Sequence, residues 1–75
     1  MLGVYAVPNV PGRVFAGRQM DGSVRIKKPE GFAHEELVFG VARIVGARID
    51  FPTKDWIVPP ERVELFELVM ERICV

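Results

Sequence analysis

Uncharged polar residues are almost missing from this chain, which holds one Asn, one Gln, one Ser and one Thr among 75 residues. His34 and Cys74 are likewise single examples of their types. Each scarcity excludes something. With one cysteine no intrachain disulfide can form, which fits a reducing cytoplasm better than secretion. A metal centre needs three or four ligands, and no His/Cys cluster exists to supply them. His34 with Glu35 and Glu36 behind it therefore reads as a solvated residue in a first helical turn. The glycines do not form a Gly-x-Gly-x-x-Gly run at a strand–helix junction, and no Gly-Lys-Ser/Thr follows, so nucleotide binding is not expected. Tyr5, Ser23, Thr53 and Cys74 are the conceivable nucleophiles. Ser23 sits beside a turn glycine, where serine is common for turn reasons alone. Cys74 falls at a chain end where nothing supplies a thiolate-stabilising environment. No catalytic residue, cofactor or metal is assigned, and the chain is expected not to be an enzyme.

Long apolar runs are also lacking. The stretch Leu37 to Ala42 is cut by Arg43, far short of a membrane span. No basic residue precedes the apolar start, so it does not read as a signal peptide. The chain is thus expected to be soluble and cytoplasmic, with no membrane partner.

Apolar residues, by contrast, make up 49% of the chain, too many for a disordered segment. Residues 1–75 suffice for one domain only. A domain this small buries only about 60% of its unfolded surface, so its apolar content predicts either a dense core or burial against a second copy. The seven arginines against three lysines, the six prolines and the scarce amides follow the pattern of thermophile proteins.

Local patterns predict an α+β fold in the order β-β-β-α-(β)-α, a small antiparallel meander packed against two helices. Leu2–Val7 is β-prone and ends at Pro8, and Pro8 to Gly12 is a turn cluster. Arg13–Gln19 and Ser23–Lys28 read as strands joined at Met20-Asp21-Gly22, a tight hairpin because glycine takes the positive φ the turn requires. A three-residue loop places Val14, Ala16, Val24 and Ile26 on one face, with Phe15 and Arg25 on the other. A two-residue loop would put Phe15 beside Val24 and Ile26. The first gives the cleaner apolar face and is preferred.

Apolar residues recur at helical spacing over about Phe32–Val45, and Gly46 is a natural stop. The segment 47–51 then alternates as a short strand, unless the helix runs on to Ile49. Trp56-Ile57-Val58 is a strand or a core-anchoring loop, with Trp56 read as an anchor. Pro59-Pro60 opens a final helix to about Ile73. Val63, Phe66, Val69, Met70 and Ile73 form its broad apolar face, and Glu64, Glu67 and Glu71 a solvated one. That face is wide for one thin sheet, so these five residues are candidates for self-association as a homodimer.

Charge is unevenly placed although the chain is neutral. Within residues 13–28, Arg13, Arg18, Arg25, Lys27 and Lys28 face only Asp21, a local excess of +4. Such a hairpin can contact phosphates or an acidic partner, or guard an exposed strand edge. A basic strand before two helices is similar to the ribbon-helix-helix repressors, with Ser23–Lys28 as ribbon. The segment from Gly46 to Pro59 is much longer than that family's tight turn and two strands are surplus, so no residue is carried over. The leading expectation is a non-enzymatic interaction or regulatory module, homodimeric. The alternative is nucleic-acid binding through the basic hairpin.

Overall fold

The computed structural model describes residues 3–5 and 12–73. The turn cluster before Gly12 and Cys74 lie outside these. The order is β1 (Gly3–Tyr5), β2 (Val14–Arg18), β3 (Val24–Ile26), α1 (Phe32–Val45), β4 (Arg48–Asp50), β5 (Asp55–Val58), a 3₁₀ turn (Pro60–Arg62) and α2 (Val63–Ile73). The fold is α+β, as the pattern predicted.

β2 and β3 pair Ala16 with Ile26, Gly17 with Arg25 and Arg18 with Val24, which leaves the three-residue loop. Gly22 sits at φ 91°, and its N–H donates to the Gln19 carbonyl at 3.0 Å. Val14, Ala16, Val24 and Ile26 are consequently buried together. The other predicted boundaries are resolved as well. Gly46 takes the left-handed conformation at φ 70°, and the Ala47 N–H closes the helix end on the Ala42 carbonyl at 2.9 Å. α1 therefore stops at Val45, and the strand reading of the next segment holds over Arg48–Asp50. Trp56 and its neighbours form a strand rather than a loop.

The sheet has five strands and is not a simple meander. Its order is β1-β2-β3-β5-β4, antiparallel throughout. Both β3 and β4 pair antiparallel with β5, so they run parallel to each other with α1 as the crossover between them. The chain crosses to the far edge, turns, and returns to fill the gap. Local sequence carries no signal for this choice, because neither β4 nor β5 says which of them meets β3.

Both helices contribute to one core with β2, β3 and β5. The cluster comprises Val14, Ala16, Val24, Ile26, Val38, Val41, Val45, Val58, Val63, Phe66 and Met70. Seven of its eleven members are valine, and Phe66, Ile26 and Met70 are its largest side chains. Phe66 is completely buried. Phe66→Ala is expected to cost about 3–5 kcal/mol, against a total of about 5 kcal/mol or somewhat more for so small a domain. Urea denaturation followed by far-ultraviolet circular dichroism should find this variant largely unfolded without denaturant.

Candidate functional site

The sheet has one face under the helices and one without them. On the uncovered face, cross-strand register places Phe15 beside Val4, and Gly17, Arg25, Ile57 and Arg48 in one row. Asp55 and Asp50 lie directly opposite each other in the next. Two carboxylates in that relation repel. Arg25 offsets the repulsion from the central strand: its Nη1 donates to Asp50 Oδ2 and Asp55 Oδ2, each at 3.1 Å, and to Thr53 Oγ1 at 3.2 Å. Its Nε donates to Gln19 Oε1 at 3.0 Å. Asp55 is only 5% exposed, and its Oδ1 accepts the Lys28 backbone N–H at 2.7 Å. The Thr53 hydroxyl, then Arg25, hold the Asp50 carboxyl below its ordinary 3.8. The hydrogen bonds that Arg25 donates to Asp50 and Asp55 in turn raise its own pKa above the usual range.

The five predicted contact cations are gathered around one side chain, though not on one face. Phe15 is 53% exposed on the uncovered face and stands between two shallow concavities. One, of about 360 Å³, is bordered by Arg18, Arg25 and Lys27 as well as Val4 and Gly17. The other, of about 370 Å³, is bordered by Gly12, Arg13, Lys28 and Glu30. Arg18 alternates onto the helix side, where it lies 3.9 Å from Glu67 in an exposed and therefore weak pair. Arg25 is committed to its acids. Arg13, Lys27 and Lys28 are exposed. The basic hairpin is also no free ribbon: β2 is paired by β1 and β3 by β5, so it cannot enter a nucleic-acid groove on its own.

The self-association sector is corrected by the packing. Val63, Phe66 and Met70 are at most 3% exposed and belong to the core of the same chain, and Val69 is half-buried against it. The side chain of Ile73 lies outside what is described. The wide apolar face of α2 is covered within the chain, by core residues of β2, β3, β5 and α1.

Exposed apolar surface appears elsewhere, in places the sequence reading missed. Phe39 on α1 is 51% exposed and packs its ring 6.0 Å from that of Trp56, tilted by 55°. These rings and Pro29 floor a groove of about 500 Å³ on the helix side, rimmed by Lys28, Lys54, Glu35 and Glu36. Lys54 holds the left-handed conformation at φ 65°, with its Nζ over the Phe51 ring at 5.4 Å. Phe39 falls off the apolar period of α1, which was the available signal for it. His34 was also misread: it is 1% exposed, and among the described residues its Nε2 has no hydrogen-bond partner. It packs beside Gly12 and Gly31, a tertiary arrangement that helical periodicity does not encode.

Compared with family models, curated proteins and solved structures, the chain matches none at a significant level. Among the described residues no helix is long and apolar enough to cross a membrane, and no three His, Cys, Asp or Glu side chains gather as metal ligands.

The carboxylate network makes an acid prediction. Asp50 and Asp21 both titrate below their ordinary 3.8, Asp21 because it accepts hydrogen bonds from the Ser23 hydroxyl and N–H. Their contribution is fully present above that value and is lost as pH falls through the lower native values. The denaturation midpoint should hold from neutrality to about pH 5 and fall below about pH 4. Asp50→Asn should be less stable at neutral pH and show a shallower acid decline. Arg25→Ala should lower the neutral midpoint more than Arg13→Ala, since it leaves Asp55 buried opposite Asp50.

Proposed function

We propose that the chain is a non-enzymatic interaction module that self-associates as a homodimer through the groove between α1 and β5. The observation that carries this reading is the groove's own charge pattern. Its floor is aromatic, with Phe39 and Trp56 in contact. Its rim carries Lys28 and Lys54 from the sheet side and Glu35 and Glu36 from the helix. None of the four has an ion-pair partner among the described residues. A surface holding both halves of a charge pattern around an apolar centre is complementary to itself under a two-fold axis, which presents lysines to glutamates twice. Exposed apolar surface backed by a polar rim is also the usual anatomy of an interface. A reducing, cytoplasmic setting belongs to this reading, since Cys74 can form no bridge within the chain.

Sedimentation at high micromolar concentration tests it by charge exchange. Lys54→Glu alone, and Glu35→Lys with Glu36→Lys alone, should each sediment as monomers. Mixed in equal amounts they should recover the dimer, because unlike rims then meet. A parent chain that stays monomeric, or a mixture no heavier than its parts, would remove the proposal.

A further inference from the structure

We propose that the uncovered face of the sheet binds single-stranded nucleic acid, with one base stacked on each side of the Phe15 ridge. The site lies on the other side of the sheet from the self-association groove, and Lys28 borders both.

Three observations meet at this spot. First, Phe15 is a large aromatic held half-exposed on a paired, rigid strand rather than on a loop. It has no covering element among those described, so its ring faces are open to a planar partner. Stacking on such a platform is tolerant of sequence, because every base offers a π-face.

Second, the ridge divides two concavities of similar size, about 360 and 370 Å³. Gly17, two residues along the same strand and on the same face, explains the first. A Cβ there would meet nothing within 4 Å, so the missing side chain leaves open space beside the ring. Gly12 borders the second.

Third, charge around the ridge is mostly positive. Arg13 precedes Phe15 on the same face, and Lys27 lies across from it, with the Lys27 N–H donating to the Phe15 carbonyl at 2.9 Å. Lys28 borders the far hollow. Among the described residues Glu30 is the only carboxylate bordering either. An apolar ring flanked by cations fits a ligand that alternates flat bases with phosphates. An acidic protein would use the cations and leave the two hollows unfilled. Double-stranded nucleic acid is disfavoured by geometry, since the basic hairpin is paired along both edges and its bases would be stacked away from Phe15. Zero net charge does not oppose the site, because phosphate contacts act within a Debye length of about 8–10 Å.

The test is fluorescence anisotropy of a labelled oligothymidylate of about 12 nucleotides, within single-strand site sizes, and of the matching oligouridylate. Arg13, Phe15 and Lys27 are used because they are exposed and lie outside the groove of the helix side. Binding is expected at low salt, weakening about tenfold between 50 and 200 mM for some three phosphate contacts. Phe15→Leu should weaken it about fivefold or more, while Phe15→Trp should retain it. Arg13→Glu with Lys27→Glu should remove binding and its salt dependence. At protein concentrations where the parent is itself monomeric, Lys54→Glu should bind like the parent, which separates this site from the self-association groove. Absence of binding at low salt overturns the proposal. So does Phe15→Leu binding as well as the parent, loss in Phe15→Trp equal to that in Phe15→Leu, or a duplex of the same length binding as tightly as the single strand.

Discussion

At Gly22 the backbone turns with φ at 91°, and three hydrogen bonds lock β2 to β3 around it. The Gln19 N–H donates to the Ser23 carbonyl at 2.8 Å, the Gly22 N–H to the Gln19 carbonyl at 3.0 Å, and the Ser23 N–H to Asp21 Oδ1 at 2.9 Å. A residue other than glycine would meet a disfavoured φ, although an added Cβ would only touch the Pro60 Cβ at an ordinary contact distance of 3.5 Å. The same turn thus fixes the hairpin's register and abuts the start of the last helical segment. Everything on β2 and β3 follows from that register. A slip of one residue on β2 would send Val14 and Ala16 to the uncovered face and Phe15 into the core. The exposed ridge and the buried valines are consequences of one loop length.

Arg25 is the second device, and it acts on topology. It stands on the central strand, where a long cation is normally a liability, and takes up two carboxylates from the β4–β5 hairpin. Asp55 Oδ1 also accepts the Lys28 N–H at the end of β3, a bond that exists only if β5 lies beside β3. Burying Asp55 costs desolvation that Arg25 and Lys28 must offset, so the net gain in stability from such a network is small. Its effect is to favour one strand order over its competitor. With β4 beside β3 the Asp55 carboxylate would be left without these donors.

This division explains what could be read from residues alone. Asp21-Gly22, the period of α1, Gly46 and the Pro59-Pro60 opening are local signals, and each marks an element that forms where expected. The hairpin register was legible only as a preference, because the three-residue loop gives the cleaner apolar face while a two-residue loop also gathers Phe15, Val24 and Ile26. Strand order was not, since the pairing of β5 with β3 joins residues some thirty positions apart, as in Arg25 with Asp55. Two errors share that cause. The apolar face of α2 reads as too wide for one thin sheet because its cover comes from α1 and from strands distant in sequence, which local pattern does not place over it. His34 was placed in solvent because a helical wheel shows a residue's angle and not what lies over it. Periodicity reports that a face is apolar or polar; it does not report the cover.

The same limit separates the two surfaces that remain. Phe39 and Phe15 are comparably exposed, at 51% and 53%, yet their surroundings differ in kind. Around Phe39 the charges are of both signs, Arg43 over its ring included, which suits contact with a copy of itself. Around Phe15 they are almost all positive, which suits a polyanion and would repel a copy meeting it face to face. Lys28 borders both sites, so the end of β3 is where they come nearest to each other. Because the groove lies on the helix side and the ridge on the other, pairing through the groove leaves two ridges open in one particle. Two weak sites held together act at an effective concentration set by their spacing, so an extended strand reaching both would bind more tightly than either ridge alone. A small neutral chain can in this way present a local basic surface twice without the repulsion that a uniformly basic dimer would carry into its own interface.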